Sequence, residues 1–275
     1  MRDLRVATVC MHSEIGEIEK NLVQTASFVS KASGMGVDLI CFPELSITGY
    51  TLHNPMQLFT DLTPDRIIDQ ITGMAIEKRM IIIAGTIELS EGKKPYISQI
   101  VAGPEGLMGL YRKTHLSPAE KEVYRAGQSF HTFCYGDIVF GIQLCYESHF
   151  PEISTLLALR GTQIIFIPHA SPRGTSKEKV QSWLRHLPAR AFDNTLFIVA
   201  CNQVGKNRAG FSFPGAAIVL DPSGKIIARH EKNQENMIIT NLKMDEIREK
   251  REHRMKFFLP NRRPELYNDL STSNV

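Results

Sequence analysis

The stretch FGIQLCYESHFPEIS, residues 140–154, contains the local pattern on which the fold prediction rests. Its first half is a short apolar run typical of a buried strand, and Pro151 with Glu152 is typical of the first turn of a helix. A strand that leads into a helix is a building unit of α/β proteins. Cys145 ends the apolar run, where it is either a small buried side chain or a nucleophile held at the end of a strand.

The same alternation of apolar runs and helical patterns continues along the whole chain. Strands are predicted for LRVATVC, VDLICF, MIIIAGTIEL, YISQIVAG, GLMGLYR, IVFGIQLC, TQIIFIP, LFIVACN, GAAIVLD and NMIITNL. Helices are predicted for EIEKNLVQTASFVSKASGMG, TPDRIIDQITGMAIEKR, PEISTLLALRG and SKEKVQSWLRHLPARAFDN. Turns at residues 104–106 and 221–224 predict two antiparallel hairpins among parallel strands. No linker divides the pattern, so we predict one α/β domain over residues 1–275, with two layers of mixed sheet covered by helices and a C-terminal arm from about residue 256.

Composition and charge restrict the classes of function. The chain has 275 residues, a formal net charge of +3 and 43% hydrophobic residues, which are ordinary globular values. Its most basic stretch, KMDEIREKREHRMK, is interleaved with acidic residues and is therefore read as a solvated helix face rather than a nucleic-acid site. No apolar run approaches the ~18–20 residues of a membrane span, and no signal peptide is recognised. We expect a soluble cytoplasmic protein that binds neither nucleic acid nor membrane.

The cysteines favour a reducing compartment. There are five, at positions with wide spacings and without a C-x-x-C pair. An odd number in this arrangement indicates neither a disulfide framework nor a zinc site. Four of them lie within or beside apolar strands and are expected in the core: Cys10, Cys41, Cys134 and Cys201.

Three polar side chains follow apolar strands at the point where each strand ends. Glu44 follows VDLICFP, Lys113 follows GLMGLYR, and Cys145 follows IVFGIQL. Strand ends are where α/β proteins place reactive groups, because the sheet holds the backbone there. A thiol, a carboxylate and an ammonium are sufficient for nucleophilic attack on a carbonyl. The helix expected at Pro151 would favour a thiolate through its peptide dipoles.

Three segments carry a resemblance to a known family. CFPELSITGY, YRKTHLSPAE and LCYESHFPEIS resemble, in the same order, the signature segments of the nitrilase or carbon-nitrogen hydrolase superfamily. DLICFPE, RAFDNTLFIVACNQVG, AAIVLDPSGK and RRPELY extend the likeness over most of the chain. The resemblance implies an α-β-β-α sandwich and hydrolysis of a non-peptide carbon–nitrogen bond in a small linear amide or ureido compound.

The resemblance also implies a role for each matching residue. Cys145 matches the nucleophile, Glu44 the general base and Lys113 the cation that stabilises the tetrahedral intermediate. Glu120 matches a second glutamate that positions the lysine and the substrate. The oxyanion would lie between Lys113 and a backbone N–H beside the cysteine, that of Tyr146. A thioester forms, ammonia or an amine leaves, and water releases the acid; no metal or organic cofactor is implied.

Some residues depart from the family pattern and bear on the substrate. Where carbamoyl-amino-acid hydrolases often have an arginine after the cysteine, this chain has His149, and Arg173 is the alternative carboxylate partner. Where nitrilases usually have tryptophan, it has Tyr146, which favours amides. Tyr50 and His169 are further candidates for the pocket lining. Each of these residues has an alternative role in packing or in the scaffold.

Several alternative functions remain open from the sequence. The same three residues serve hydrolases of N-carbamoyl amines or amino acids, and nitrilases. A papain-like Cys-His hydrolase would use His149, His169 or His186 as its base, and would leave Glu44 and Lys113 without a role. A catalytically silent assembly module on the same fold is a third possibility. The family implies a homodimer or a higher homo-oligomer, with the segment RRPELY crossing to another subunit.

Overall fold

The computed structural model describes residues 2–59 and 62–269. Within them the strands are β1 (Leu4–Cys10), β2 (Leu39–Cys41), β3 (Ile81–Ser90), β4 (Lys93–Gly103), β5 (Gly106–Arg112), β6 (Thr132–Tyr135), β7 (Ile138–Ile142), β8 (Ile164–His169), β9 (Phe197–Asn202), β10 (Gly205–Lys206), β11 (Ser212–Phe213), β12 (Ala217–Leu220), β13 (Ile226–His230) and β14 (Asn236–Leu242). The helices are α1 (Ile18–Gly34), α2 (Pro64–Lys78), α3 (Pro118–Val123), α4 (Pro151–Leu159), α5 (Ser176–Trp183), α6 (Leu187–Asn194) and α7 (Asp245–Glu252). Short 3₁₀ turns occur at Pro55–Leu58, Cys145–His149, Leu259–Asn261 and Pro264–Leu266.

Two six-stranded sheets with matching topology form the centre of the molecule. Their strand orders are β14-β1-β2-β3-β4-β5 and β13-β12-β9-β8-β7-β6. In the first sheet β1, β2 and β3 are parallel, and in the second β7, β8 and β9 are parallel. Antiparallel strands flank both trios, and the two expected hairpins, β4–β5 and β12–β13, are present. The mixed parallel and antiparallel sheets predicted from the sequence are confirmed.

The two sheets pack face to face, and helices cover their outer faces. In β8, Ile164 and Phe166 belong to the core between the sheets, whereas Ile165 and Ile167 pack under the helices. Side chains alternate across a strand, so a strand buried on both faces must be apolar throughout, which explains the continuous apolar runs. Helices α1 and α2 cover the first sheet, and α4, α5 and α6 cover the second. The α-β-β-α sandwich is confirmed.

One predicted helix is in fact two. The segment SKEKVQSWLRHLPARAFDN forms α5 and α6, which are separated at Leu184–His186 by a break in the helix. Pro188 lies in the first turn of α6, where its missing N–H costs nothing, but inside a continuous helix it would remove a hydrogen bond and clash with the preceding turn. The expectation of a single helix over this segment was therefore wrong.

The periphery of the fold bears on three further expectations. Cys10, Cys41 and Cys201 are buried as expected, but Cys134 is exposed because β6 is the edge strand of its sheet. The described part of the C-terminal arm, residues 256–269, is largely exposed and contains only short 3₁₀ turns, whereas residues 270–275 lie outside the described residues. Among the described helices, none has the length and apolar character needed to cross a bilayer. The arm and its packing against another subunit stay predictions.

Candidate active site

Glu44 lies just beyond the carboxyl end of β2, in a turn that presses against β3. Leu45 has a φ of 53°, and a Cβ built on Gly85 would lie 2.2 Å from the Leu45 nitrogen. The Glu44 carboxylate is fully buried, and its Oε2 accepts a hydrogen bond from Ala170 N–H at 3.0 Å. Its carbonyl oxygen accepts one from Gln203 Nε2 at 2.7 Å. Strand ends of the second sheet therefore hold the carboxylate that the first sheet supplies.

Lys113 directly follows β5 and is fully buried between two carboxylates. Its Nζ lies 2.7 Å from Glu44 Oε1 and 2.9 Å from Glu120 Oε1. The other oxygen of Glu120 accepts a hydrogen bond from Ser117 N–H at 2.8 Å, the usual contact at the start of a helix such as α3. The hydroxyl of Tyr50 lies 3.5 Å from Glu120 Oε1. The helix start thus fixes Glu120, and Glu120 in turn fixes the lysine.

Cys145 begins the 3₁₀ turn that follows β7, and its backbone is in the left-handed region. Its φ of 45° is uncommon for a residue other than glycine, and such conformations concentrate at functional sites. Its carbonyl oxygen accepts a hydrogen bond from Ser148 Oγ at 2.7 Å. The residue is half-buried, and it lines a cavity between the strand ends. The sharp turn therefore presents the thiol at the end of the strand rather than inside the core.

Glu147 joins the turn of Cys145 to the turn of Lys113. One carboxylate oxygen accepts from Leu144 N–H at 2.6 Å, the other accepts from Thr114 N–H at 2.6 Å, and the Tyr111 hydroxyl donates to the group at 2.8 Å. Sequence reasoning missed this residue. The available signal was a glutamate three residues after Leu144, the cap of the 3₁₀ turn, where its side chain can accept from the backbone at the start of a helical turn.

Burial controls the protonation of the thiol and the two charged groups nearest to it. Burial and the nearby Glu44 raise the pKa of the Cys145 thiol to about 12, and Lys113 opposes this shift only in part. Burial also raises the pKa of Glu44, against the effect of Lys113. Burial lowers the pKa of Lys113, but the two glutamates outweigh it, and the pKa lies well above its ordinary value. Desolvation outweighs any effect of the helix dipoles at Pro151, which were expected to favour a thiolate, so the thiol keeps its proton until a base takes it during attack.

The cavity beside Cys145 has a volume of about 220 Å³, suited to a small molecule. Four of the tentative substrate-binding residues line it, namely Tyr50, Tyr146, His149 and His169, and so does Glu120. Arg173 is exposed, has a φ of 79° and is not among the lining residues. The structure therefore brings together every predicted site residue except Arg173, and it gives no geometric support to Arg173 as a carboxylate partner.

One wall of the cavity comes mostly from residues that sequence reasoning did not assign to the site; only His186 was considered, as the base of a Cys-His hydrolase. Lys179, Ser182, Trp183 and His186 line it from α5 and the segment that follows. Trp183 is buried, and its ring lies 4.7 Å from that of His169 at the cavity. The spacing i, i+3 and i+4 places Lys179, Ser182 and Trp183 on one face of α5, and this was the signal that a stripe containing a lysine faces the site.

The fold and the site together define a class. Stacked sheets that place a cysteine and a glutamate at one small cavity, with a buried lysine that contacts this glutamate and a second one, are the architecture of a cysteine-containing carbon–nitrogen hydrolase. The chain belongs to the carbon-nitrogen hydrolase family, whose family model matches residues 5–252. It is accordingly an enzyme of the nitrilase superfamily, as the sequence segments indicated.

Similar proteins include nitrilases and amidases. The chain is 29% identical over 268 residues to a nitrilase of Pyrococcus abyssi (strain GE5 / Orsay), covering 96% of this chain and 99% of the relative. It is 25% identical over 247 residues to an (R)-stereoselective amidase of a Pseudomonas species, covering 89% and 87%. A solved amidase from Nesterenkonia sp. superimposes with a TM-score of 0.84 at 21% identity, covering 97% of this chain and 96% of that one. The structural similarity shows the shared fold.

We expect Gly85→Ala to damage the site while leaving most of the fold intact. The new Cβ would lie 2.2 Å from the Leu45 nitrogen and 2.9 Å from the Glu44 carbonyl carbon, so the turn that carries Glu44 must move. Overpacking of this kind costs about 1–3 kcal/mol of stability, and a displacement of about 1 Å at a reacting group lowers the rate by about 100-fold. The measurements are kcat for amide hydrolysis and the midpoint of thermal unfolding.

Gly73→Ala is the matched control for this substitution. Gly73 lies within α2, and no heavy atom within 4 Å obstructs a Cβ there. Alanine in a helix is favoured over glycine by up to about 1 kcal/mol, so this variant should keep its activity and its stability. A Gly85→Ala variant as active as Gly73→Ala would contradict the close fit between β3 and the Glu44 turn.

Proposed function

We propose that this enzyme hydrolyses small linear amides to an acid and ammonia through a thioester on Cys145. The observation that carries the proposal is the fully buried cluster of Glu44, Lys113 and Glu120 beside Cys145, at a cavity of about 220 Å³. A buried cation held between two carboxylates at a reactive thiol is unusual outside an active site, because its burial costs free energy that simple packing would not.

Glu44 acts as the base that activates the thiol. With the pKa of Cys145 raised to about 12, the thiol keeps its proton at neutral pH until an acceptor takes it. The pKa of Glu44 is raised by burial, which makes its carboxylate a better acceptor than an exposed glutamate. The proton moves from Sγ to Glu44 as the sulfur attacks the carbonyl carbon, so no free thiolate accumulates.

Lys113 and a backbone amide hold the oxyanion of the tetrahedral intermediate. The Lys113 ammonium keeps its charge because the two glutamates raise its pKa. The second donor is the N–H of Tyr146, which lies in the first turn of the 3₁₀ segment Cys145–His149, where amides have no acceptor within the helix. Glu120 touches Lys113 and positions it. Donors fixed in advance stabilise the developing charge without reorganisation.

Collapse of the intermediate completes the acylation half of the reaction. The carbon–nitrogen bond breaks, Glu44 returns its proton to the departing nitrogen, and ammonia leaves the thioester on Cys145. Water then enters the cavity, loses a proton to Glu44 and attacks the thioester carbonyl. The carbon–sulfur bond breaks, the thiolate regains the proton from Glu44, and the acid is released.

A Cys-His mechanism has less support from the same geometry. His186 Nε2 pairs with Ser148 Oγ at 3.3 Å, and His169 Nδ1 pairs with the Ile167 carbonyl at 2.8 Å. Burial lowers the pKa of all three candidate bases, and that of His186 falls to about 4, so these imidazoles are weaker bases than usual. Family membership as a hydrolase also favours an enzyme over a catalytically silent module.

Ammonia release across a substrate panel tests the proposed function. The panel contains short aliphatic amides, ω-amides of dicarboxylic acids, N-carbamoyl amines and amino acids, and nitriles. We expect turnover of amides, and we expect acid-quenched enzyme to show an added acyl mass on the peptide that contains Cys145. Ammonia from nitriles alone, or from carbamoyl compounds alone, would replace the amidase proposal with one of these two functions.

The proposed enzyme is cytoplasmic and forms a homodimer or a higher homo-oligomer. Light scattering of the purified chain tests the second part, and a monomer at all concentrations would contradict it. Exposed apolar side chains on α6 and in the C-terminal segment, such as Phe192 and Phe258, support a covered surface.

A further inference from the structure

Glu147 is a fully buried carboxylate to which the proposed reaction gives no role. Its oxygens accept hydrogen bonds from uncharged donors: Leu144 N–H at 2.6 Å, the Tyr111 hydroxyl at 2.8 Å, the N–H and the hydroxyl of Thr114, both at 2.6 Å, and His115 N–H at 3.4 Å. Within the described part of the chain, no cation forms an ion pair with it. A buried carboxylate of this kind depends on its hydrogen bonds to offset the cost of desolvation.

The donors around Glu147 belong to two separate parts of the site. Leu144 directly precedes Cys145, beyond the end of β7 in the second sheet, and Thr114 directly follows Lys113, beyond the end of β5 in the first sheet. Among the residues that the structure describes, no hydrogen bond joins Cys145 to Lys113 directly. The carboxylate of Glu147 is therefore a link between the turn of the thiol and the turn of the cation.

The two turns differ in how firmly the rest of the fold holds them. The backbone of Lys113 continues the hydrogen bonding of its sheet: its N–H donates to Ile97 O at 2.8 Å, and its carbonyl oxygen accepts from Gly127 N–H at 2.8 Å. Cys145 instead has a φ of 45°, and such a conformation persists only where surrounding contacts hold it. Loss of Glu147 should therefore move the turn of Cys145, whereas Lys113 should stay in place.

We propose that Glu147 is a positioning residue that holds the Cys145 turn against Lys113, so that the two oxyanion donors face one point. These donors are the Tyr146 N–H and the Lys113 ammonium. The inference rests on the proposed thioester reaction and goes further by naming a residue that fixes its geometry. Glu147 is not among the residues that line the cavity, so it acts through its neighbours rather than on the substrate.

A negative, acceptor-only group is required at this position because every neighbour is a donor. Glu147→Gln keeps the size of the side chain but replaces one oxygen with an NH₂ group, which only donates. Whichever way the amide turns, an N–H then meets the N–H of Leu144 or that of Thr114, so one of the two turns must move. A displacement of about 1 Å at a reacting group lowers the rate by about 100-fold.

An aldehyde separates the alignment of the oxyanion donors from the binding of uncharged substrate. When butyraldehyde reacts with Cys145, a carbon–sulfur bond forms, the carbonyl π electrons move to the oxygen, and the thiol proton moves to Glu44. No group leaves, and the adduct dissociates by the reverse of this step. Its oxyanion lies where that of the tetrahedral intermediate would lie, so Ki for butyraldehyde measures the alignment that turnover requires, as a transition-state analogue does.

The experiment measures kcat and KM for butyramide, Ki for butyraldehyde and the midpoint of thermal unfolding. The variants are Glu147→Gln, Tyr111→Phe and Glu152→Gln. Tyr111→Phe removes one hydroxyl that donates to Glu147 and leaves the carboxylate in place, so it provides a reading if Glu147→Gln does not fold. Glu152, an exposed glutamate in the first turn of α4, provides the matched control.

We expect Glu147→Gln to lower kcat by about 100-fold and to raise Ki for butyraldehyde by about the same factor, while KM for butyramide changes by less than about threefold. Tyr111→Phe should show the same pattern at about 3- to 10-fold, since one hydrogen bond is lost. Glu152→Gln should match the wild type. A role in stability alone would lower kcat by reducing the folded fraction and would leave Ki unchanged.

Three results would overturn the inference. Loss of kcat with an unchanged Ki would assign Glu147 to stability, and a KM that rises in step with Ki would indicate a general distortion of the cavity. Wild-type values in both Glu147→Gln and Tyr111→Phe would show that the link has no effect on catalysis. Absence of ammonia from every amide of the panel would overturn the proposed function instead, and the butyraldehyde Ki values would still decide whether Glu147 positions the thiol.

Discussion

Cys145→Ala should abolish ammonia release while leaving the fold unchanged. The sulfur forms the covalent bond in the proposed reaction, and no other described thiol lines the cavity. Loss of a nucleophile that acts together with its base lowers kcat by about 10⁴-fold or more. Because Cys145 is half-buried and its turn is held by Glu147, the backbone should keep its shape. The measurements are ammonia release and the midpoint of thermal unfolding.

Cys134→Ala is the matched control for this variant. Cys134 is an exposed cysteine on the edge strand β6, outside the cavity lining, so its removal should leave turnover unchanged. Retention of turnover within tenfold by Cys145→Ala would exclude the thioester route. Intact-mass spectra of both variants after incubation with substrate give a second reading, since only Cys134→Ala should acquire the acyl group.

Lys113→Met should cost both activity and stability. Methionine cannot stabilise an oxyanion, and loss of one such donor lowers kcat by about 10²–10³-fold. It also leaves Glu44 and Glu120 buried without their shared cation. Breaking a buried ion pair by removing one partner costs about 3–5 kcal/mol of the free energy of unfolding. Denaturant unfolding at neutral pH measures the stability, and Lys121→Met, at an exposed lysine nearby, is the control.

The stability lost in Lys113→Met should depend on pH in a defined direction. Without the lysine, burial keeps the pKa of Glu44 in the folded state above its unfolded value, as burial already does in the wild type. A group with a raised folded pKa stabilises the folded state fully below its unfolded pKa and loses that contribution as the pH rises through the folded pKa. The deficit relative to wild type should therefore be small in mild acid and largest at neutral pH.

A double-mutant cycle separates the charge from the packing. Adding Glu44→Gln to Lys113→Met removes one of the two unpaired carboxylates, so part of the lost free energy of unfolding should return. If the double variant is less stable than Lys113→Met by the full cost of Glu44→Gln alone, the two groups are not coupled. A deficit that does not change between pH 5 and pH 8 would likewise contradict the assignment of the loss to unpaired carboxylates.

The sequence alone determined the fold class, and it predicted the three central residues. The apolar runs that precede Glu44, Lys113 and Cys145 are local patterns, because a strand buried on both faces consists of consecutive apolar residues. The three signature segments, found in the family's order, indicated the family. The structure confirmed the sandwich, and the family model confirmed the family. The structure also placed Lys113 in contact with Glu44, and Cys145 at the cavity.

Local pattern was insufficient wherever the outcome depended on residues far apart in the chain. Pro188 broke a helix that otherwise has a continuous helical pattern, and an edge position exposed Cys134. The helix after Pro151 suggested a thiolate, but the burial of Cys145 and its proximity to Glu44, 101 positions earlier in the chain, decided for the thiol. Desolvation and long-range charge are sums over a three-dimensional neighbourhood, and no short stretch of sequence contains them.

The wall of the cavity is a further case in which local pattern was insufficient and the tertiary structure decided the outcome. From the sequence, Arg173 was the alternative partner for a substrate carboxylate, from the loop after TQIIFIP. In the structure Arg173 is exposed, and Lys179, on the face of α5 shared with Trp183, reaches the cavity. The sequence determined the fold class and the family, because buried strands and the three signature segments are local patterns. Only the tertiary structure decided which cation lines the cavity, because that depends on how a helix is packed against a distant sheet.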